Sequence, residues 1–166
     1  YGYNLIYMHH MINSKNINLF GGEISPSAVK LSDVISSDFN LPIKSFKIDF
    51  SNLDKYIEYF PEKAVVITSA SIFYLDAIPD SFFNSLKLKK PKYVFHLEPI
   101  YPPEPDIDIY STLQRRYMEI NGYSKTILST LKQKEDLGLI KIIEITPPFI
   151  GTNILLRYSL IIWTFL

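Results

Sequence analysis

The sequence predicts an α/β fold: a doubly wound, mostly parallel sheet that ends in a C-terminal antiparallel hairpin. Three observations lead there. Short apolar runs rich in β-branched and aromatic residues alternate with stretches of helical periodicity between residues 16 and 98, and strands separated by helices pair in parallel. Two further apolar runs, residues 140–146 and 158–165, have no helical pattern between them, so they pair antiparallel. At 166 residues, 47% hydrophobic and 14% aromatic, the chain suits one core, and residues 1–166 are expected to form a single domain.

The first run, NINLFGGEI at residues 16–24, leads into Ser25-Pro26-Ser27. Ser25 suits a helix N-cap, and Pro26 suits the first helical position, where its missing N–H costs nothing. Ala28, Leu31, Ile35 and Phe39 then recur at helical spacing and offer one packing face. KSFKIDF at 44–50 reads as the next strand, 52–60 as a short helix or turn, and AVVITS at 64–69 as a buried strand. Residues 80–88 read as a short helix and PKYVFHLE at 91–98 as another strand. Residues 100–108 (IYPPEPDID) carry three prolines, which requires a loop, placed to act as a lid. Residues 111–136 are mostly helical with a break near Gly122, and Gly138 fits the C′ position after them. No repeat, low-complexity tract or linker interrupts this order.

Lysine plus arginine equals aspartate plus glutamate, 17 each. No global field therefore draws the chain to nucleic acid or to an anionic membrane, and any ligand is recognised locally. Cysteine is absent, which removes disulfides and thiolate chemistry and fits a cytoplasmic setting. Residues 158–166 are too short to span a bilayer and are cut off from residues 154–156 by Arg157. His9 and His10 are adjacent rather than at the i, i+4 spacing of a helical metal pair, so no metal site is expected.

Several segments carry a family likeness. Tyr1-Gly2-Tyr3-Asn4-Leu5 precedes a helical stretch, and a glycine there lets the backbone approach a ligand closely. Glu23 follows Gly21-Gly22 about twenty residues later at a strand end, the spacing of a carboxylate that accepts hydrogen bonds from a ribose diol. Asp49-Phe50 closes the next strand. Residues 65–71 are followed by Tyr74-Leu75 and Ile78-Pro79, and residues 93–99 by Tyr101 and then by Arg115-Arg116-Tyr117.

Together these segments resemble class I S-adenosylmethionine-dependent methyltransferases over nearly the whole chain. The later ones are similar to a variant among sugar O-methyltransferases. The resemblance implies S-adenosylmethionine as cofactor, contacted by Gly2, Tyr3, Asn4, Glu23, Ile24, Asp49, Phe50, Ser69 and Ala70. It implies a small-molecule acceptor, such as a carbohydrate, contacted by Tyr74, Tyr101, Arg115 and Arg116. It also implies a domain whose first strand is missing from the N-terminus, with an open sheet edge that favours homo-oligomers.

Methyl transfer from a sulfonium is an in-line displacement that needs an aligned acceptor oxygen and a base. Glu98 and His96 are the expected pair, because alternate strand residues share a face and both lie near a carboxyl end, where open α/β sheets bind ligands. Plainer readings stand beside these. His96 can be a buried hydrogen-bonded residue, Glu98 a loop cap, Glu23 a cap for the helix after Pro26, and Asp49 a turn residue. Arg115 and Arg116 can be a solvated helix face, and Tyr74, Tyr101, Tyr117 and Tyr123 can fill the core. The expected activity is O-methyl transfer to a small hydroxylated acceptor. A methyltransferase-like module without activity is the second reading, and a nicotinamide-dependent oxidoreductase, disfavoured by the hairpin, is the third.

Overall fold

A computed structural model describes residues 2–12, 17–102, 108–149, 151, 153 and 155–166. The proline-rich lid expected at 100–108 lies outside the described residues over 103–107. Where the sequence suggests one domain, the chain divides into two compact units, Tyr1–Phe60 and Pro61–Leu166.

The first unit runs α1 (Tyr3–Ile12), β1 (Leu19–Glu23), α2 (Pro26–Asp38), β2 (Ile43–Lys47), then 3-10 turns at Phe50–Lys55 and Ile57–Tyr59. β1 and β2 pair in parallel, Leu19 opposite Ile43 and Glu23 opposite Lys47. α2 starts where its signals place it: extended Ser25 accepts from Ala28 N at 3.4 Å, and Pro26 opens the helix. Its buried face differs from the expected stripe. Ala28, Ser32 and Ser36 are buried, whereas Leu31 and Phe39 are exposed. Small side chains let the helix sit close to the strands, where Ser45 Oγ donates to Ser32 Oγ at 2.7 Å.

β2 stops at Lys47, so the strand expected at 44–50 is shorter. Ile48 N–H still reaches Glu23 O at 3.0 Å, but Asp49 then caps a 3-10 turn that contains Phe50. Gly21 and Gly22 serve packing. A Cβ on Gly21 would fall 2.8 Å from Leu5 Cδ1 of α1, and one on Gly22 would fall 2.7 Å from Ile48 Cγ2.

The second unit runs β3 (Val65–Ser69), a 3-10 turn at Ile72–Tyr74, α3 (Asp80–Lys89), β4 (Tyr93–Pro99), α4 (Ile109–Ile120), α5 (Ile127–Asp136), β5 (Ile140–Ile145) and β6 (Tyr158–Phe165). Its sheet order is β3-β4-β6-β5. β3 and β4 are parallel, while β6 is antiparallel to both β4 and β5. β6 therefore lies inside the sheet, and the expected mostly parallel arrangement becomes a mixed one in this unit.

One face of this sheet is sealed. Val94, His96 and Glu98 of β4, Thr68 of β3, and Ile161 and Trp163 of β6 are all buried, as period-2 alternation requires. α3 lies over them: the Phe82 ring is 6.3 Å from His96 and the Phe83 ring 5.8 Å from Trp163. Among the described residues no helix is long and apolar enough to cross a membrane.

Candidate functional site

In the second unit the carboxyl ends of the parallel strands β3 and β4 converge on one carboxylate. Glu98 is fully buried. Ser71 N–H donates to its Oε2 at 2.9 Å, Ser71 Oγ to Oε1 at 3.1 Å and Ile72 N–H to Oε1 at 3.3 Å. Burial pushes the Glu98 carboxyl above its usual range, and these hydrogen bonds oppose that rise.

The clamp fixes the chain as it leaves β3. Ala70 sits at φ 50° in the left-handed region, a conformation that costs a non-glycine residue on the order of 1 kcal/mol or more. Its N–H is tied to Leu97 O at 3.1 Å. Ser69, Ala70 and Ser71 thus form a strained turn with small side chains at the end of the sheet where open α/β folds bind ligands.

His96 has a different part from the acid–base role expected of it. Thr68 Oγ1 lies 2.8 Å from Nδ1, and Trp163 Nε1 donates to Nε2 at 2.8 Å. Burial holds the ring neutral by lowering its pKa to about 3. With both nitrogens engaged inside the sheet, His96 matches the buried hydrogen-bonded reading, and Glu98 matches the loop-cap reading. The sequence reading did not single out Thr68, Ser71 or Trp163 individually. Face arithmetic groups Thr68 with His96 once β3 and β4 are registered, but Trp163 becomes visible only with the antiparallel register of β6.

Beside the turn lies a group of aromatic side chains. Tyr74 is 65% exposed. Its ring centroid is 5.5 Å from that of Tyr123, which also meets Phe73 at 4.6 Å and Tyr117 at 6.2 Å. Tyr158, a further residue missed in the sequence, has its hydroxyl pKa raised by burial, then by the charge of Glu98 and by Tyr74. Ser124 N–H holds Phe73 O at 2.8 Å, which ties the α4–α5 connection to the turn after β3. An open depression of about 320 Å³ is lined by Asp76 and residues 122–126.

Tyr101 donates to Glu119 Oε1 at 2.7 Å, with the Arg115 guanidinium 4.9 Å from its ring. Arg115 also donates to Pro102 O at 3.1 Å, whereas Arg116 has its side chain 73% exposed and lies 3.9 Å from Glu119. A larger open cavity, about 640 Å³ and lined by Lys87, Lys90, Pro91 and Phe165 among others, lies at the opposite end of β4 from Glu98.

In the first unit, Glu23 Oε1 accepts from Ile24 N–H at 2.9 Å and Ser25 N–H at 3.5 Å, closing the turn into α2. Asp49 accepts from Ser51 N–H at 2.8 Å and Asn52 Nδ2 at 3.1 Å, and the Ser51 bond leads in lowering its pKa. Gly2 has φ 74°, and a Cβ there would fall 2.6 Å from Ser32 Oγ. Tyr3 and Asn4 are exposed in the first turn of α1, and Ile24 is exposed beyond β1. Among the described residues no three His, Asp or Glu side chains gather in a way that could hold a metal ion.

No family model matches the chain, and no curated protein does. Solved structures do. Geranyl diphosphate methyltransferase in complex with SAM superposes with a TM-score of 0.62 at 10% identity, over 99% of this chain and 74% of that one. Geranyl diphosphate C-methyltransferase from Streptomyces coelicolor, bound to Mg2+, geranyl diphosphate and S-adenosyl-L-homocysteine, gives 0.61 at 10% identity, over 99% and 67%. A structure described as a pericyclic reaction enzyme gives 0.61 at 8% identity, over 99% and 40%. The chain shares the α/β fold of these solved structures.

Proposed function

We propose that the chain acts in S-adenosylmethionine-dependent methyl transfer to a hydroxyl of a small acceptor, such as a sugar. The observation that carries this reading is the strained turn at residues 69–71, clamped by a buried carboxylate at the carboxyl ends of two parallel strands. It gains support from a fold that two solved neighbours use with SAM or S-adenosyl-L-homocysteine.

The residues suit that cofactor. Ser69 and Ala70 carry side chains small enough to leave the backbone of the turn approachable, and they are assigned to its methionine part. When bound, the cofactor supplies a methyl group on a positively charged sulfur.

The chain's own contribution is alignment. Tyr74 offers an exposed ring for stacking on an acceptor, with Tyr101, Arg115 and Arg116 as further contacts. Glu98 holds the turn through Ser71 and Ile72, His96 is engaged by Thr68 and Trp163, and the acceptor's hydroxyl proton passes to solvent water. A module that binds the cofactor without transferring its methyl group is the second reading, favoured by the internal engagement of both His96 nitrogens.

Calorimetric titration with S-adenosylhomocysteine, followed by methyl-transfer assays over hydroxylated acceptors, tests both. Binding with transfer supports the first reading, and binding without transfer to any acceptor supports the second. No binding by folded protein overturns both.

A further inference from the structure

The chain as a whole is electrically balanced, yet its charges are not evenly spread. At the amino ends of β3 and β4, opposite the turn at residues 69–71, two loops run side by side. Lys63 N–H donates to Lys89 O at 2.8 Å, and Lys92 N–H to Ala64 O at 2.9 Å. These bonds bring Lys63 next to the run Lys87-Leu88-Lys89-Lys90-Pro91-Lys92, which ends α3 and enters β4. Lys63, Lys87, Lys90 and Lys92 are exposed and Lys89 is half-buried. Glu62 is the one carboxylate in the two loops. Among the described residues none of the five lysines forms an ion pair; those of this unit engage Arg116, Lys125 and Lys134.

Helix-end chemistry accounts for part of this, since Lys87 and Lys89 in the last turn of α3 complement its dipole. It does not account for Lys63 and Lys90. Both lie in the left-handed region, at φ 56° and 48°, where glycine or asparagine fits with little strain and a lysine does not. Two adjacent loops thus keep a cation where the local backbone argues against one, which points to a use for the charge.

Between the lysines the surface is apolar. Leu88 is 71% exposed, and with Pro91 and Phe165 it lines the open cavity of about 640 Å³ that Lys87 and Lys90 also border. Cations beside exposed aliphatic carbon are the pattern of a surface that lies on anionic lipid. Arginine, whose planar fork suits nucleic-acid phosphates, is missing here: the chain's three arginines are residues 115, 116 and 157, none of them in these loops.

We propose that this end of the second unit is a peripheral docking surface for anionic phospholipid, in which Lys63, Lys87, Lys90 and Lys92 meet the headgroups and Leu88 enters the interface. It does not rest on the methyltransferase reading. Docking by this end keeps Glu98 and the turn at residues 69–71, at the opposite end of β4, turned toward water.

Sedimentation of the full chain with lipid vesicles tests the surface. Vesicles of mixed phosphatidylserine and phosphatidylcholine should bind the chain, less so as salt is raised, and pure phosphatidylcholine vesicles should not. Lys63→Asn and Lys90→Asn should each weaken binding about fivefold, while their melting temperatures hold or rise, because asparagine tolerates the left-handed backbone. Leu88→Ser should weaken binding and leave its salt dependence unchanged. Lys125→Asn, on the α4–α5 connection beside Glu119, should bind as the unsubstituted chain does. Equal binding to both kinds of vesicle, or an equal loss in Lys125→Asn, would overturn the proposal, as would lysine variants that melt lower yet bind unchanged. Absence of binding to the anionic vesicles also overturns it, and if a single-stranded oligonucleotide binds instead, the surface belongs to nucleic acid.

Discussion

Acid should weaken the second unit through His96. The ring is fully buried with a pKa of about 3 against an ordinary 6.5. Between those values the unfolded chain binds a proton that the folded chain refuses. The contribution of His96 to stability is thus intact above about pH 6.5 and is lost on acidification, at about 1.4 kcal/mol per pH unit. At about pH 5 the loss is about 2 kcal/mol, or ~4–8 °C in melting temperature for a protein of this size. Glu98 works in the opposite sense, since its carboxyl is raised and its folded form holds a proton to higher pH than the unfolded chain does. The difference between the protein and His96→Gln isolates the histidine, because the glutamine oxygen can still accept from Trp163. Fluorescence melts with selective tryptophan excitation report on the second unit, since Trp163 is the only tryptophan. The protein should lose several degrees more than His96→Gln between about pH 7.5 and about pH 5. Equal losses in both would refute the reasoning.

Gly22→Ala should destabilise the first unit by about 1–3 kcal/mol, read by circular dichroism, because the new Cβ would meet Ile48 Cγ2 at 2.7 Å and a buried β-branched side chain has few places to go. Ala70→Gly should shift stability by no more than about 1 kcal/mol, since relief of the left-handed backbone is offset by a freer unfolded chain. In calorimetry the same variant should bind S-adenosylhomocysteine more weakly, because the turn is less constrained. Tyr74→Ala should alter stability by less than about 0.5 kcal/mol at this exposed site yet raise the KM for an acceptor, with kcat less affected. An unchanged KM would remove Tyr74 from the acceptor contacts.

Order and type of the elements were legible because strands with β-branched runs and helices with caps leave local signals. The strands at 140–146 and 158–165 were readable as an antiparallel pair for that reason. The placement of β6 between β4 and β5 was not, since pairing partners depend on tertiary register. On α2, counting hydrophobic residues favoured the stripe of Ala28, Leu31, Ile35 and Phe39. Ser32 and Ser36 are buried instead, because Ser45 supplies a partner that no local pattern displays. Similarly, Asp49 and Phe50 continued an apolar alternation, but Asp49 had the N–H of Ser51 within its own reach and ended the extended segment. For His96 and Glu98 the shared face was readable from alternation. Whether that face met solvent or a helix was not.

The fold alone does not decide between chemistries, since one superposing structure is described as a pericyclic reaction enzyme. The side chains at the end of the sheet discriminate further. His96 is committed to Thr68 and Trp163 and Glu98 to the turn at residues 69–71, so the reaction proposed for this unit must be one that tolerates a largely spent acid–base pair. Methyl transfer from a sulfonium meets that condition on the leaving-group side, since the leaving group departs as a neutral thioether and needs no proton; the acceptor hydroxyl's proton passes to solvent water, and alignment supplies much of the rate. General acid catalysis of a poor leaving group would require a group like His96 to face the ligand and to titrate near neutrality. Burial and the Trp163 hydrogen bond deny it both. Thr68 and Trp163 remove His96 from proton exchange and Glu98 clamps Ser71 and Ile72 beside Ala70, which is why positioning, rather than acid–base chemistry, is the part assigned to this end of the sheet.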